Sequence, residues 1–247
     1  NSNLDINTFI NQPNNILGIE YIKALMRFNS KINPVPLKRL GAGYHSLDTG
    51  TKLASATGIR TAMANKDNIS GLLPDNCLNI IKNHTTIEYN DFSTVLGSKL
   101  LSMDTLDHIE GINQDLSNRI ANNKYNFTDI ETFIPMLQSK NYTYSAISRA
   151  LLHIILDIKT DDIKEFVNNN YAMILGFTKK SGVLSEISKS TKIPLVSKFA
   201  TFYKEADNNQ RKMLDINLKA DNLYRMIYMN KTSEILPTEF QRQIIIK

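Results

Sequence analysis

The segment Leu53-Ala54-Ser55-Ala56-Thr57-Gly58-Ile59-Arg60 holds residue types that grip a phosphate. Small and hydroxyl residues ahead of a helix let backbone amides and side-chain oxygens approach an anion, and a nearby guanidinium adds fixed positive charge. Ser55, Thr57 and Arg60 are therefore candidate ligands for a triphosphate or pyrophosphate. The same residues also read as an ordinary Ser/Thr helix cap followed by a surface arginine. Other reactive groups are sparse. His45, His84, His108 and His153 show neither HExxH nor paired-ligand spacing, so no metal site is expected from them. His153 reads as a packed helix residue. His45, in a glycine-rich stretch, reads as an exposed loop residue or a supporting contact for the nucleotide. Cys77, with no adjacent basic cluster, is expected to be structural. A lone cysteine excludes an intramolecular disulfide framework and a cysteine-based zinc site, and suits a reducing cytoplasm, where the protein is expected to reside.

The 247 residues, 42% of them apolar, suffice for one large domain or two ordinary ones with a real core. The 29 Lys and Arg against 24 Asp and Glu give a modest net charge of +5, which by itself does not establish RNA binding. The apolar run from Ala150 to Ile158 is interrupted by His153 and Asp157, far short of the roughly 20 residues of a membrane helix. The start, Asn1-Ser2-Asn3-Leu4-Asp5, carries no initiator Met, basic region or apolar run, and the chain is expected to be a piece of a longer one.

The elements that would position the candidate ligands follow from spacing. Pro13, Asn14 and Asn15 precede Ile16, Leu17, Ile19, Tyr21, Ile22, Ala24 and Leu25, the pattern of a helix packed on at least one face. The Pro-rich stretch from Lys31 to Arg39 fits a short edge or terminal strand. A loop through Gly41, Gly43, Tyr44 and His45 leads to the helix that Ser55 and Thr57 open. From Leu72-Leu73-Pro74 onward nearly every segment has helical periodicity between Asn, Asp or Ser caps, with no fixed repeat. Helices are expected over Asp91–Leu101, Gln114–Asn122, Asp129–Ser139, Thr143–Leu156, Asp161–Asn168 and Asp215–Met229. Thr128-Asp129-Ile130-Glu131 has the makings of an N-terminal cap.

Ser-Ala-Thr-Gly-Ile-Arg is similar to the Ser-Ser/Thr-x-x-Arg motif that follows the last core strand of nucleotidylyltransferases. Together with Asn14-Asn15-Ile16-Leu17-Gly18-Ile19-Glu20-Tyr21, Lys38-Arg39 and Gly41-Ala42-Gly43-Tyr44-His45, in that order, it closely resembles the bacterial tRNA(Met) cytidine acetate ligase family. The likeness continues through Lys140–Ile154 and Ala172–Gly182, and so covers most of the chain. It implies a mainly α protein: the C-terminal remnant of a Rossmann-like nucleotidylyltransferase domain over residues 1–73, then a helical, tRNA-binding domain over 74–247. It also implies ATP ligands at Asn14, or its neighbour Asn15, and at Arg39, beside Ser55, Thr57 and Arg60. A carboxamide can read adenine or ribose edges and a guanidinium can hold phosphate oxygens in bidentate fashion; Asn14 and Asn15 read equally as helix caps. Lys140, Arg149, Lys179 and Lys180 are the implied tRNA phosphate contacts, or else solvated helix ends. Ala146 stands where the family pattern leads one to expect an arginine.

The family's early His-x-Gly-His element does not occur in these 247 residues, so no catalytic residue is assigned. By resemblance the complete enzyme would use ATP, with Mg2+, to activate acetate as acetyl-adenylate and acetylate N4 of the wobble cytidine of elongator tRNA(Met). This chain alone is expected to be inactive, and its partners to be acetate and that tRNA, with no membrane. Two other readings remain: a non-catalytic helical RNA- or protein-binding module, and a nucleotidylyltransferase acting on a small metabolite.

Overall fold

In the structure, a computed structural model that describes residues 10–37, 54–166, 170–179 and 182–247, the chain divides into two compact units, Asn1–His84 and Thr85–Lys247. The described residues are mostly helical, as the sequence pattern predicts.

In the first unit, α1 spans Pro13–Arg27. Proline at its first position presets the helical φ and gives up an amide that a helix start leaves unpaired anyway. The helix ends on Asn29, whose φ of 48° turns the chain left-handed while the Ser30 and Asn29 amides close back onto Leu25 and Met26. The apolar stripe of α1 is present, but no residue of the helix is buried among the described residues. The packed face expected from periodicity is therefore not filled there. Nor is the expected strand seen: residues 31–37 have no regular structure. Pro34 and Pro36 remove two ladder donors from seven residues, and no partner strand pairs with them among the described residues. Lys38 and Arg39, like residues 41–45, where a loop is expected, lie outside the described residues. Helices α2, Ala56–Ala64, and α3, Asp75–Asn83, are the other helices of this unit among the described residues. Lys66, at φ 61°, ends α2 with the same paired carbonyl closure that Asn29 provides for α1.

The second unit is built on α4 (Ser93–Ser102), α5 (Gln114–Asn123), α6 (Ile130–Leu137) and α7 (Tyr144–Leu156), with α8 over Thr160–Phe166. Each begins close to where the sequence pattern puts it, and caps explain why. Asn113, Asp129 and Thr143 accept the amides of Leu116, Thr132 and Ala146 at 3.0, 2.9 and 3.3 Å. On α7, Ile147, Ala150, Leu151, Ile154 and Ile155 are buried at helical spacing, and they meet Leu96, Ile109, Leu116 and Phe133 in one core. His153 packs as expected, with Nδ1 2.8 Å from the Glu110 carbonyl oxygen.

Beyond α8 the structure departs from an all-helical reading. Ala172–Met173 (β1) pairs in parallel with Leu195–Val196 (β3), and Gly176–Phe177 (β2) with Ile245–Ile246 (β4). Strand pairs of two residues leave too short a period-2 signal to be read from sequence. The α9 (Val183–Ser190) and α10 (Phe199–Glu205) helices lie between these strands in the chain. The long α11, Asn208–Thr232, begins at a capping box of Asp207 and Gln210. It starts seven residues earlier than the apolar pattern indicates.

Candidate functional site

At the start of α2, Ser55 occupies the N-cap with extended backbone, and its Oγ accepts the Gly58 amide at 2.9 Å. The Ile59 amide bonds to the Ser55 carbonyl at 3.0 Å. Ala56 and Thr57, the two amides ahead of them, belong to the donors that a helix start leaves without intrahelical partners. Ser55 is 2% exposed and Gly58 is buried, so this turn is packed and its geometry fixed. Thr57 is half-buried and Arg60 is exposed. No acidic residue stands in the first turn, so nothing there neutralises the positive end of the helix. The structure thus shows the helix cap that the sequence reading offered, at a helix end whose dipole favours an anion. Gly58 was not singled out by sequence. Its part follows from carrying the capped amide in a buried position, which residue type alone does not reveal.

Asn14 and Asn15 take the second and third positions of α1; Gln12 is the N-cap, without a side-chain capping bond. Neither asparagine therefore occupies the N-cap position. Asn14 is exposed and Asn15 half-buried, and α1 also lacks an acidic residue in its first turn. Arg39, the remaining expected nucleotide ligand, and His45 lie outside the described residues.

The expected RNA contacts fall on separate elements. Lys140 is exposed in the turn before α7, Arg149 is exposed on α7, and Lys179 follows β2 with its amide bonded to the Lys247 carbonyl. Lys180 is outside the described residues. Ala146 is exposed in the first turn of α7. The charge balance is uneven: through residue 84 there are 9 Lys and Arg against 5 Asp and Glu, and beyond it 20 against 19. The excess that the whole-chain charge reports lies with the first unit. A further lysine that the sequence reading passed over, Lys219, donates from Nζ to the Leu156 carbonyl at 2.6 Å, across 63 residues of chain. No local pattern could have paired them. Among the described residues no group of three or more His, Cys, Asp or Glu side chains could hold a metal ion, and no helix is long and apolar enough to cross a membrane.

A capped, acid-free helix start presents amides and the positive end of the helix dipole, which favour an anion. A family model for HIGH nucleotidyl transferases matches residues 2–238, and the chain belongs to that family. Its relatives include the tRNA(Met) cytidine acetate ligase of Thermoanaerobacter sp., 31% identical over 239 residues. That match covers 94% of this chain and 59% of the relative. The enzyme of the same name from Caldanaerobacter subterraneus is 34% identical over 233 residues, covering 91% and 58%. The chain thus spans about three fifths of the length of these relatives. Among solved structures, TmcAL of Thermotoga maritima shares the fold, with a TM-score of 0.82 at 23% identity over 96% of this chain and 61% of that one. A second structure of that protein, bound with alpha-thio ATP, gives a TM-score of 0.81.

Proposed function

We propose that this chain supplies one wall of the ATP site and the tRNA-holding unit of a tRNA(Met) cytidine acetate ligase. In this reading residues 1–73 close a Rossmann-like nucleotidylyltransferase domain and residues 74–247 form the RNA-binding part. Acetate attacks the α-phosphorus of ATP, the bond to the β-phosphate breaks, and pyrophosphate leaves. N4 of the wobble cytidine then attacks the acetyl carbonyl, AMP departs, and the amine gives up a proton. The observation that carries the reading is the start of α2, where a buried Ser55 cap fixes the turn, Arg60 stands exposed and no acidic side chain intervenes.

The chain's own residues supply position and charge. The first turn of α2 and Arg60 meet phosphate oxygens, Arg39 joins them, and Asn14 or Asn15 hydrogen-bonds adenine or ribose edges. Mg2+ would be held chiefly by those phosphate oxygens, the usual arrangement for this ion, because the described residues offer no carboxylate cluster. Lys140, Arg149, Lys179 and Lys180 would meet tRNA phosphates. With no His-x-Gly-His element among its 247 residues, the chain by itself is expected to be inactive. The deciding experiment supplies that element from a tRNA(Met) cytidine acetate ligase and measures acetate-dependent exchange of pyrophosphate into ATP. Exchange that needs acetate, falls steeply in Arg39→Ala and Arg60→Ala, and is absent from the chain alone would support the reading. No exchange, with or without tRNA, would sink it and leave a helical binding module as the better account.

A further inference from the structure

The second unit carries nearly balanced charge, but one stretch departs from that balance. Residues 171–198 hold five lysines against a single acidic residue, Glu186, which leaves the rest of the unit with an acidic excess. The same stretch folds around an apolar cleft. A cavity of about 450 Å³ lies against β2 and α9, lined among others by Leu175, Phe177, Val183, Ile187 and Leu195. It opens to solvent: Leu175, Val183 and Ile187 are 60%, 53% and 44% exposed, and α9 has no buried residue. Helical spacing puts Val183, Leu184 and Ile187 on the face of α9 that lines the cleft, and turns Glu186 and Lys189 away from it. An amphipathic helix with its apolar face unburied is an open contact surface rather than a core element.

Cations flank this cleft. The Lys247 amide donates to the Phe177 carbonyl and the Lys179 amide to the Lys247 carbonyl, so the β2–β4 ladder runs on to Lys179. Side chains alternate along an extended strand, which sets Lys179 on the same face as Phe177. On the other side, Leu195 also lines a second cavity, of about 330 Å³, together with Lys192, Thr191 and Ser188. Among the described residues no carboxylate lines either cavity, and neither Lys179 nor Lys192 forms an ion pair. An apolar cleft with an aromatic ring, set between ammonium groups, fits an unstacked nucleobase whose neighbouring phosphates take the lysines. A duplex, with its bases stacked, has nothing to place there.

We propose that the cleft between β2 and α9 binds single-stranded RNA, with one base against Phe177 and Ile187 and the flanking phosphates on Lys179 and Lys192. This rests on the reading of tRNA as the substrate, and specifies an unpaired segment as the part held here. The test is filter binding of elongator tRNA(Met), a single-stranded RNA oligomer and a blunt RNA duplex to the 247-residue chain between about 50 and 200 mM salt. Wild type should bind the single strand more tightly than the duplex. Lys192→Gln should weaken binding of tRNA and of the single strand about 3- to 10-fold and lower the slope of log affinity against log salt by about 0.7. Ile187→Ala should weaken both about 3- to 10-fold with the slope unchanged, because it removes apolar contact and no charge. Both side chains are exposed, so the fold should survive either change. Lys189→Gln, on the far face of α9, should leave affinity and slope unchanged. Wild-type affinity in Ile187→Ala, or an equal loss of duplex binding, would overturn the base site even if Lys192→Gln binds more weakly. Retention on phosphatidylserine vesicles that needs Ile187 and Lys192, with tRNA binding indifferent to both, would assign the cleft to a membrane surface and overturn it too. A wild-type chain that binds no tRNA would overturn the substrate reading and this site with it.

Discussion

Replacing Ser55 by alanine separates the two roles that the start of α2 combines. The substitution removes the oxygen 2.9 Å from the Gly58 amide, at a position only 2% exposed, so water has little access to replace it. Losing an N-cap costs about 1 kcal/mol, and stranding a buried donor about 1–3 kcal/mol. We expect about 1–2 kcal/mol, a roughly 5- to 30-fold rise in the opening equilibrium of α2. Native-state hydrogen exchange of the Ala62 and Met63 amides reads that opening locally, without assuming that the two units unfold together. Arg60→Ala changes an exposed side chain and should leave the same amides within about 0.5 kcal/mol of wild type. Binding of radiolabelled ATP then supplies the second axis. A nucleotide site predicts that both variants bind ATP more weakly, and a mere cap predicts that neither does. Unchanged exchange in Ser55→Ala would refute the reasoning about the cap. Equal loss of protection in Arg60→Ala would refute the separation of roles.

Gly176→Ala would place a Cβ 2.8 Å from the Ile245 carbonyl oxygen, a backbone atom that cannot swing away. The β2–β4 pairing should open, read as faster exchange of the Ile245 and Lys247 amides. Ile154→Ala, in the buried face of α7, should cost the second unit about 2–5 kcal/mol in urea unfolding, because the helices around it close the cavity only partly. Burial pulls the Asp91 carboxyl upward, but the Glu88 amide and the Lys231 ammonium more than offset it and hold the pKa below the usual 3.8. A depressed carboxyl contributes stability above its unfolded pKa and loses it as pH falls through the folded value. Acid titration of stability should thus steepen below about pH 4, and Lys231→Met should flatten that part of the curve; an identical curve would count against the pair.

What the sequence determined was local. Helix starts were legible wherever a capping side chain meets an apolar period, as at Asn113, Asp129 and Thr143, because a cap and its helix lie within a few residues of each other. The start of α2 was legible for the same reason, as the Ser55 cap, Thr57 and Arg60 share one helical start. The tertiary structure decided what depends on partners distant in the chain. It left the apolar stripe of α1 without a buried residue, put no strand through Pro34 and Pro36, and paired β2 with β4 across nearly 70 residues. It also brought the Lys219 ammonium to the Leu156 carbonyl at the end of α7. Caps and periodicity are set by bonds over three or four positions; strand partners and long-range bonds such as that of Lys219 come from chain segments that meet only once the core has closed.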